Sequence, residues 1–157
     1  MSEYTPHYVT LAEFIAAVEA NVDDYVDDIL ASIGATTELR QAYCRDTILM
    51  AAESKVDGYI SAVRSTPVPA TSQYFGIIQE WVKIIGRYHL EHLGAGSRVR
   101  EKLQLSYEDV MATLKDVARG AFKITDDEGD GPGSEGVTLA ITSDTPDFDS
   151  DNLGEYF

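Results

Sequence analysis

The sequence predicts an all-α fold: a small helical bundle with an extended acidic C-terminal arm. Two observations support this. Apolar residues recur at spacings of three and four through most of residues 10–118, which is the period of an amphipathic helix. Residues 125–157 lack that period and contain ten acidic residues but no Lys or Arg. We therefore expect a helical domain at 1–124, with two short and three longer helices, followed by a flexible arm at 125–157.

Two short helices are predicted first. Thr10 and Glu13 have the spacing of a capping box, in which each side chain bonds the other residue's amide. The helix that they open has one apolar side, formed by Leu11, Phe14, Ile15 and Val18. A second helix is expected over residues 22–33, with Gly34 as its stop. Its inward residues are Val22, Val26, Ile29, Leu30 and Ile33. Asp23, Asp24, Asp27 and Asp28 could suggest a metal site, but a solvated face is expected, because no metal-ligand spacing accompanies them.

A long helix is predicted next, from a cap at Thr36 or Thr37 to about Arg64. Gly58 weakens it by about 1 kcal/mol relative to alanine, which is tolerable where a neighbouring helix packs closely. The expected buried residues are Leu39, Tyr43, Leu49, Met50, Val56, Ile60 and Val63.

Residues 72–93 are predicted to form the central helix. Pro67 and Pro69 place an extended turn before it, and Gly94 and Gly96 end it. Its apolar arc is wider than the stripe of a surface helix, which indicates several packing partners. The arc comprises Phe75, Ile77, Ile78, Trp81, Val82, Ile84, Ile85, Tyr88 and Leu93. The polar half comprises Gln79, Glu80, Lys83, Arg87 and Glu91.

The last helix is expected to open at Ser97 and to close at Gly120. Ser106 and Asp109 have capping-box spacing, so a break near Leu105 is an alternative, but the continuous apolar stripe favours one helix. That stripe consists of Val99, Leu103, Tyr107, Val110, Met111, Leu114 and Val117.

The arm contains features of a docking segment. Residues 137–142 alternate apolar and small or polar side chains, the signal of one short strand, and a lone strand needs a sheet edge supplied by a partner. Aromatic and leucine residues then follow in an acidic background. The predicted partner-binding residues are Val137, Leu139 and Ile141 of the strand and the anchors Phe148, Leu153, Tyr156 and Phe157. A frayed acidic terminus explains the last segment equally well.

Charge and composition exclude several classes of protein. The net charge of −15 disfavours a nucleic-acid-binding surface and attachment to anionic membranes. The single cysteine, Cys44, excludes an internal disulfide and favours a reducing compartment. The N-terminus has no signal-peptide pattern, and no apolar run is long enough to span a membrane.

No catalytic, cofactor or metal site is predicted. His89 and His92 have a spacing that could ligate zinc, but no third ligand accompanies them, so packed or interface histidines are favoured. Asp126, Glu128 and Asp130 resemble the start of a calcium loop, yet Val137 stands where its bidentate glutamate belongs. Cys44 is interpreted as a buried structural thiol. Phosphate-loop and hydrolase motifs are missing from the sequence.

Several segments together carry a family resemblance. They are Asp57-Gly58-Tyr59-Ile60 after an Ala-rich helix, Pro67-Val68-Pro69, Arg87-Tyr88, and Tyr107, Leu114, Lys115 and Gly120 in the last helix. Over about residues 4–124 the chain resembles small proteins of Mu-like phages and prophages, long described as a domain of unknown function, among the head-to-tail joining proteins. Family members usually carry an aromatic residue where this chain has Ser65. The arm is also longer and more acidic than in the family.

The resemblance implies a virion protein at the head-to-tail interface, assembled in the host cytoplasm. It implies a ring homo-oligomer of twelve subunits that binds the portal protein on one face and the next connector or tail protein on the other. DNA would pass through without specific binding. An acidic DNA mimic that inhibits a host DNA-handling enzyme is the alternative, though a mimic needs carboxylates on a rigid face rather than in an arm.

Overall fold

The computed structural model describes residues 3–19, 36–92 and 100–124. Regular structure in these ranges is helical, which confirms the all-α prediction for this part of the chain. The helices are α1 (Leu11–Glu19), α2 (residues 37–60), α3 (Phe75–His92) and α4 (Glu101–Ala118). The helix predicted at 22–33 and the arm at 125–157, with its strand, lie outside the described residues and stay predictions. No helix in the described ranges is both long and apolar enough to cross a bilayer.

The predicted capping box at the start of α1 is confirmed. The Thr10 hydroxyl accepts a hydrogen bond from the Glu13 amide at 3.2 Å, and the Glu13 carboxylate accepts one from the Thr10 amide at 2.8 Å. Hydrogen bonds to the Glu13 carboxylate from the Thr10 amide, and from the Thr10 hydroxyl at 2.9 Å, lower the pKa of this carboxyl. Phe14 and Val18 are buried on the predicted apolar side.

Helix α2 is continuous but changes its winding. It consists of an α stretch at Thr37–Tyr43, a π stretch at Cys44–Leu49 and a second α stretch at Met50–Ile60. Of the two predicted caps, Thr36 is used, and its hydroxyl accepts from the Leu39 amide at 3.3 Å. The helix ends at Ile60, four residues before the predicted end, and a turn follows it.

The π stretch explains an error in the predicted core. A π turn contains more residues than an α turn, so it rotates the residues before it relative to those after it. Cys44 thereby turns inward and is buried, whereas Leu39 is 58% exposed. Met50 is 42% exposed because it follows the buried Leu49 directly and so points about 100° away. The predicted burial of Leu39 and Met50 was wrong, whereas that of Leu49, Val56 and Ile60 is confirmed.

Helix α3 is central, as predicted, since it packs against α1, α2 and α4. For two residues of α3 the predicted side of the helix was wrong. Ile77 in the first turn is 41% exposed, and Glu91, placed on the polar half, is buried. Glu91 tolerates burial because the Arg100 amide donates to its carboxylate at 3.3 Å and the Arg100 guanidinium lies 3.8 Å away. The buried apolar residues of α3 are Ile78, Trp81, Val82, Ile85 and Leu90.

Close helix packing occurs at Gly86 rather than at Gly58. A Cβ atom placed on Gly86 would lie 2.7 Å from Cε2 of Phe14. At Gly58 no atom lies within 4 Å of such a Cβ, so the predicted close neighbour of this glycine is not there.

Helix α4 runs without interruption through Leu105, which settles the predicted alternative. The Ser106 hydroxyl donates to the Lys102 carbonyl at 3.0 Å, within the helix, instead of capping a new one. Gly120 ends α4 with a φ of 75°, as predicted, and its amide donates to the Val117 carbonyl at 2.9 Å. The buried residues of α4 are Leu103, Val110, Leu114 and Val117. Ser97 and Val99 lie outside the described residues.

Candidate partner-binding surface

A buried carboxylate fixes the N-terminal strap, which we define as residues 4–9. Glu53 of α2 is fully buried and accepts four hydrogen bonds from the strap. The donors are the Tyr4 hydroxyl at 2.6 Å and the amides of His7, Tyr8 and Val9 at 2.8, 2.9 and 3.2 Å. Four hydrogen bonds of this geometry offset the free energy lost when the carboxylate of Glu53 is removed from water. Glu53 therefore has a structural role.

Tyr8 connects the strap to a second residue of α2, to the loop at Val68 and to α3. Its hydroxyl donates to Asp57 of α2 and accepts a bond from the Val68 amide at 2.8 Å. Its carbonyl accepts from the Gln79 side chain of α3 at 2.8 Å. Burial raises the pKa of the Tyr8 phenol and also the pKa of the Asp57 carboxyl. Sequence analysis did not identify the strap, although Glu53 lies in phase with Leu49, Val56 and Ile60, and a charge in an apolar stripe is a signal of such a contact.

The two histidines of α3 belong to an aromatic cluster. Tyr88 of α3 stacks on Tyr107 of α4 with ring centroids 3.7 Å apart, and the ring of His92 stacks on that of Tyr88 with centroids 5.9 Å apart. Lys55 of α2 donates to the Tyr107 hydroxyl at 3.1 Å and lies 3.4 Å from Nε2 of His89. Burial, and then the charge of Lys55, lower the pKa of His89. His89 is thus packed in the cluster.

The described residues contain no group of three or more His, Cys, Asp or Glu placed to hold a metal ion. The predicted calcium-like segment lies outside the described ranges. Cys44 is buried, as predicted, and burial raises the pKa of its thiol to about 11.

A groove runs between α2 and α4, and we call it the α4 groove. Its volume is about 530 Å³. Its lining consists of eight residues. We call the four aromatic or apolar ones, Tyr59, Tyr107, Met111 and Ala112, the floor, and the four charged ones, Glu108, Lys115, Asp116 and Arg119, the rim. Half of the lining residues are thus charged, and a ligand of this groove would meet both apolar and charged side chains.

The rim is basic toward the end of α4. The Lys115 side chain is exposed and has no hydrogen-bond or ion-pair partner among the described residues. Arg119 is 74% exposed and pairs only loosely with Asp116, at 4.0 Å. Such an exposed pair contributes little free energy, so the Arg119 guanidinium can change partner at low cost.

A second depression, the C-terminal notch, lies where α4 ends. Its volume is about 320 Å³, and it is lined by Val63, Gly120, Phe122, Lys123 and Ile124. Arg64 donates to the Ile124 carbonyl at 2.8 Å, which fixes the last described residue to the end of α2. Residues 115–124 contain Lys115, Arg119 and Lys123 against the single acid Asp116, in a chain of net charge −15.

The predicted partner-binding residues Val137, Leu139, Ile141, Phe148, Leu153, Tyr156 and Phe157 all lie outside the described residues. The sequence did not indicate the α4 groove, because Tyr59 and Tyr107 come from helices far apart in the chain. Met111 was expected in the core but is partly exposed.

Comparison with known proteins supports the resemblance at the family level. The family model described as "Bacteriophage Mu, Gp36" matches residues 8–140, which includes all four described helices and is well over half of the chain. The chain matches no curated protein and no solved structure. The match covers the four described helices and the residues of the α4 groove, and the chain therefore belongs to the bacteriophage Mu Gp36 family.

Proposed function

We propose that this protein is a head-to-tail connector of a tailed phage. In this proposal twelve copies form a ring below the portal, one face meets the portal protein, and the other meets the next connector or the tail. The protein is a structural component of the virion, without a catalytic site or a cofactor. The observation that carries the proposal is the family match, which covers residues 8–140 and makes this a Mu-like phage protein.

The charge of the chain is consistent with a channel for DNA. A ring with a net negative surface repels the phosphate backbone, so the duplex slides through instead of binding. A basic lining would instead retain DNA by neutralising phosphates. The net charge of −15 per subunit is multiplied in a ring.

The arm supplies the assembly contacts in this proposal. Residues 137–142 add a strand to a sheet edge of the portal or of a neighbouring subunit, and main-chain hydrogen bonds offset the entropy lost on ordering. Deletion of residues 125–157 is expected to leave a folded helical domain that no longer joins the portal. Normal assembly of the truncated protein would contradict this role of the arm.

The connector function is tested by light scattering and negative-stain microscopy on this protein alone and mixed with the portal protein of its phage. We expect a ring stacked coaxially on the portal. A protein that remains monomeric and does not bind the portal contradicts the proposal.

The same experiment separates the connector from an acidic DNA mimic, which the net charge of −15 also favours. A mimic would remain a monomer or dimer and would bind a DNA-handling enzyme in a salt-sensitive way. The concentration of ten acidic residues in residues 125–157 favours the connector, because a mimic needs carboxylates at fixed spacing.

A further inference from the structure

We propose that the α4 groove is the docking site for the terminal segment, residues 144–157, of a neighbouring copy of this chain. The inference rests on the proposed function, because a ring places a second copy beside each groove. It identifies an acceptor on the helical domain for the apolar anchors of the arm.

The first argument is that the apolar side chains of the terminal segment match the floor of the groove. Tyr59, Tyr107 and Met111 expose partly buried apolar surface from two helices. Met adapts its shape to an incoming side chain, and aromatic rings stack with other rings. The terminal segment offers four apolar side chains, namely Phe148, Leu153, Tyr156 and Phe157. A groove of about 530 Å³ is within the size range of clefts that bind small ligands, so it can take one or two of these side chains.

The second argument is charge complementarity. The terminal segment contains five acidic residues, Asp144, Asp147, Asp149, Asp151 and Glu155, and no Lys or Arg. Lys115 and Lys123 have no ion-pair partner among the described residues, and Arg119 has only a loose one. The rim also contains two acids: Glu108 accepts from the Gln104 side chain at 3.0 Å, and Asp116 lies 4.0 Å from Arg119. Residues 115–124 nevertheless contain three basic residues against one acid. An acidic segment therefore meets available positive charge at the end of α4.

The third argument is that the arm is long enough to bring the terminal segment to the groove of a neighbouring copy. Residues 125–147 separate the last described residue from the first anchor, and a flexible chain of that length spans roughly 25 Å. A helical domain of this size has a radius of gyration of roughly 14 Å, so such a span extends from one subunit to the next. We assign the segment to a neighbouring copy because only docking between copies stabilises a ring.

The groove is tested with a fluorescein-labelled peptide of residues 144–157. The receptor is the full chain carrying Phe148→Ala, Leu153→Ala, Tyr156→Ala and Phe157→Ala, so that its own anchors do not compete. We expect saturable binding by fluorescence anisotropy, and no binding of a scrambled peptide of equal composition. Lack of saturable binding overturns the proposal.

Charge reversal locates the binding site. In the same receptor, Lys115→Glu with Arg119→Glu is expected to weaken peptide binding roughly tenfold. The matched control, Lys83→Glu with Lys102→Glu, changes the net charge equally at positions outside the groove, namely the partly buried Lys83, which pairs with Glu80, and the exposed Lys102. It is expected to preserve binding. Circular dichroism verifies that both variants are folded. Equal weakening by the two pairs would show a general charge effect and would overturn the groove assignment.

A photo-crosslinker in place of Phe157 identifies the donor chain. Particles are assembled with the portal from an equal mixture of ¹⁴N and ¹⁵N protein, and crosslinked peptides are analysed by mass spectrometry. We expect mixed-isotope crosslinks to Tyr59 or to residues 107–119. Crosslinks without isotope mixing overturn the assignment to a neighbouring copy. If no particle forms, the proposed function fails, whereas the anisotropy experiment still decides whether the groove binds the segment.

Discussion

Gly86 of α3 lies against the ring of Phe14 of α1. A Cβ atom at Gly86 would be 2.7 Å from Cε2 and 3.1 Å from Cζ of Phe14, and 3.6 Å from Cγ2 of Ile48. Phe14 is fully buried, so its ring cannot move without disturbing the surrounding core. The absence of a side chain at Gly86 thus sets the distance between α1 and α3.

Gly86→Ala is expected to lower the free energy of unfolding by about 1–3 kcal/mol, because overpacking outweighs the gain in helix propensity. Gly58→Ala is the matched control, since it lies in α2 with open space around it. It is expected to raise the free energy of unfolding by about 0.5–1 kcal/mol. Urea unfolding followed by Trp81 fluorescence measures both. Stabilisation by Gly86→Ala would contradict the contact.

Glu53→Gln is expected to lower the free energy of unfolding by about 2–4 kcal/mol. The amide keeps one acceptor oxygen but places an NH₂ group against donors of the strap, which leaves buried groups without partners. Glu80→Gln is the control, because Glu80 is exposed and pairs only with Lys83. Loss of this exposed ion pair is expected to change the free energy of unfolding by less than about 1 kcal/mol. Urea unfolding gives the stabilities, and hydrogen exchange at the Tyr8 and Val9 amides reports release of the strap. Unchanged exchange at these amides would argue against the role of Glu53.

The raised pKa of Asp57 predicts a pH-dependent effect of Asp57→Asn. The folded state binds the Asp57 proton more tightly than the unfolded state does. The protonated carboxyl therefore contributes to the free energy of unfolding at low pH, and this contribution is lost as pH rises through the folded-state pKa. Asparagine does not ionise, so the Asp57→Asn variant loses no such contribution as pH rises. The stability of the variant relative to the parent should therefore increase from acidic to neutral pH in urea titrations. Ser54→Ala, an exposed change without an ionisable group, should show a constant difference, and a flat result for Asp57→Asn would be inconsistent with the raised pKa.

Cys44 is expected to react slowly with thiol reagents in the native protein. Its pKa of about 11 reduces the thiolate fraction at pH 8 about 100-fold relative to a free cysteine, and burial restricts access further. Ellman's reagent should therefore react at least about 100-fold more slowly with the native protein than with the urea-unfolded protein, which serves as its own control. Reaction of the native protein at the rate of the unfolded one would show that Cys44 is accessible.

Local signals predicted much of the fold. The Thr10–Glu13 box and the Gly120 stop depend on residues close in sequence, so pattern and structure agree there. The width of the apolar arc in α3 correctly indicated a helix with several partners. These features need no knowledge of distant contacts.

Features that depend on distant contacts were not predicted. The π stretch changes the phase of α2, and nothing in residues 44–49 distinguishes it from an α-helix by periodicity. The burial of Glu91 requires Arg100, and the helical pattern placed Glu91 outside. Glu53 lies in phase with the apolar stripe, but its donors in the strap are about 45 residues away and could not be identified from the pattern. The α4 groove likewise combines side chains from two helices. The anchors in the arm stay predictions.

The strap also affects the order in which the chain can fold during synthesis. Tyr8 leaves the ribosome before all its partners, since Asp57, Val68 and Gln79 follow 49, 60 and 71 residues later. At bacterial rates of translation the delay before Gln79 emerges is roughly 4–14 s. The strap donors to Glu53 are already made when Glu53 emerges, whereas the contacts of Tyr8 are complete only after Gln79 has emerged. The first residues to be made are thus among the last to complete their native contacts.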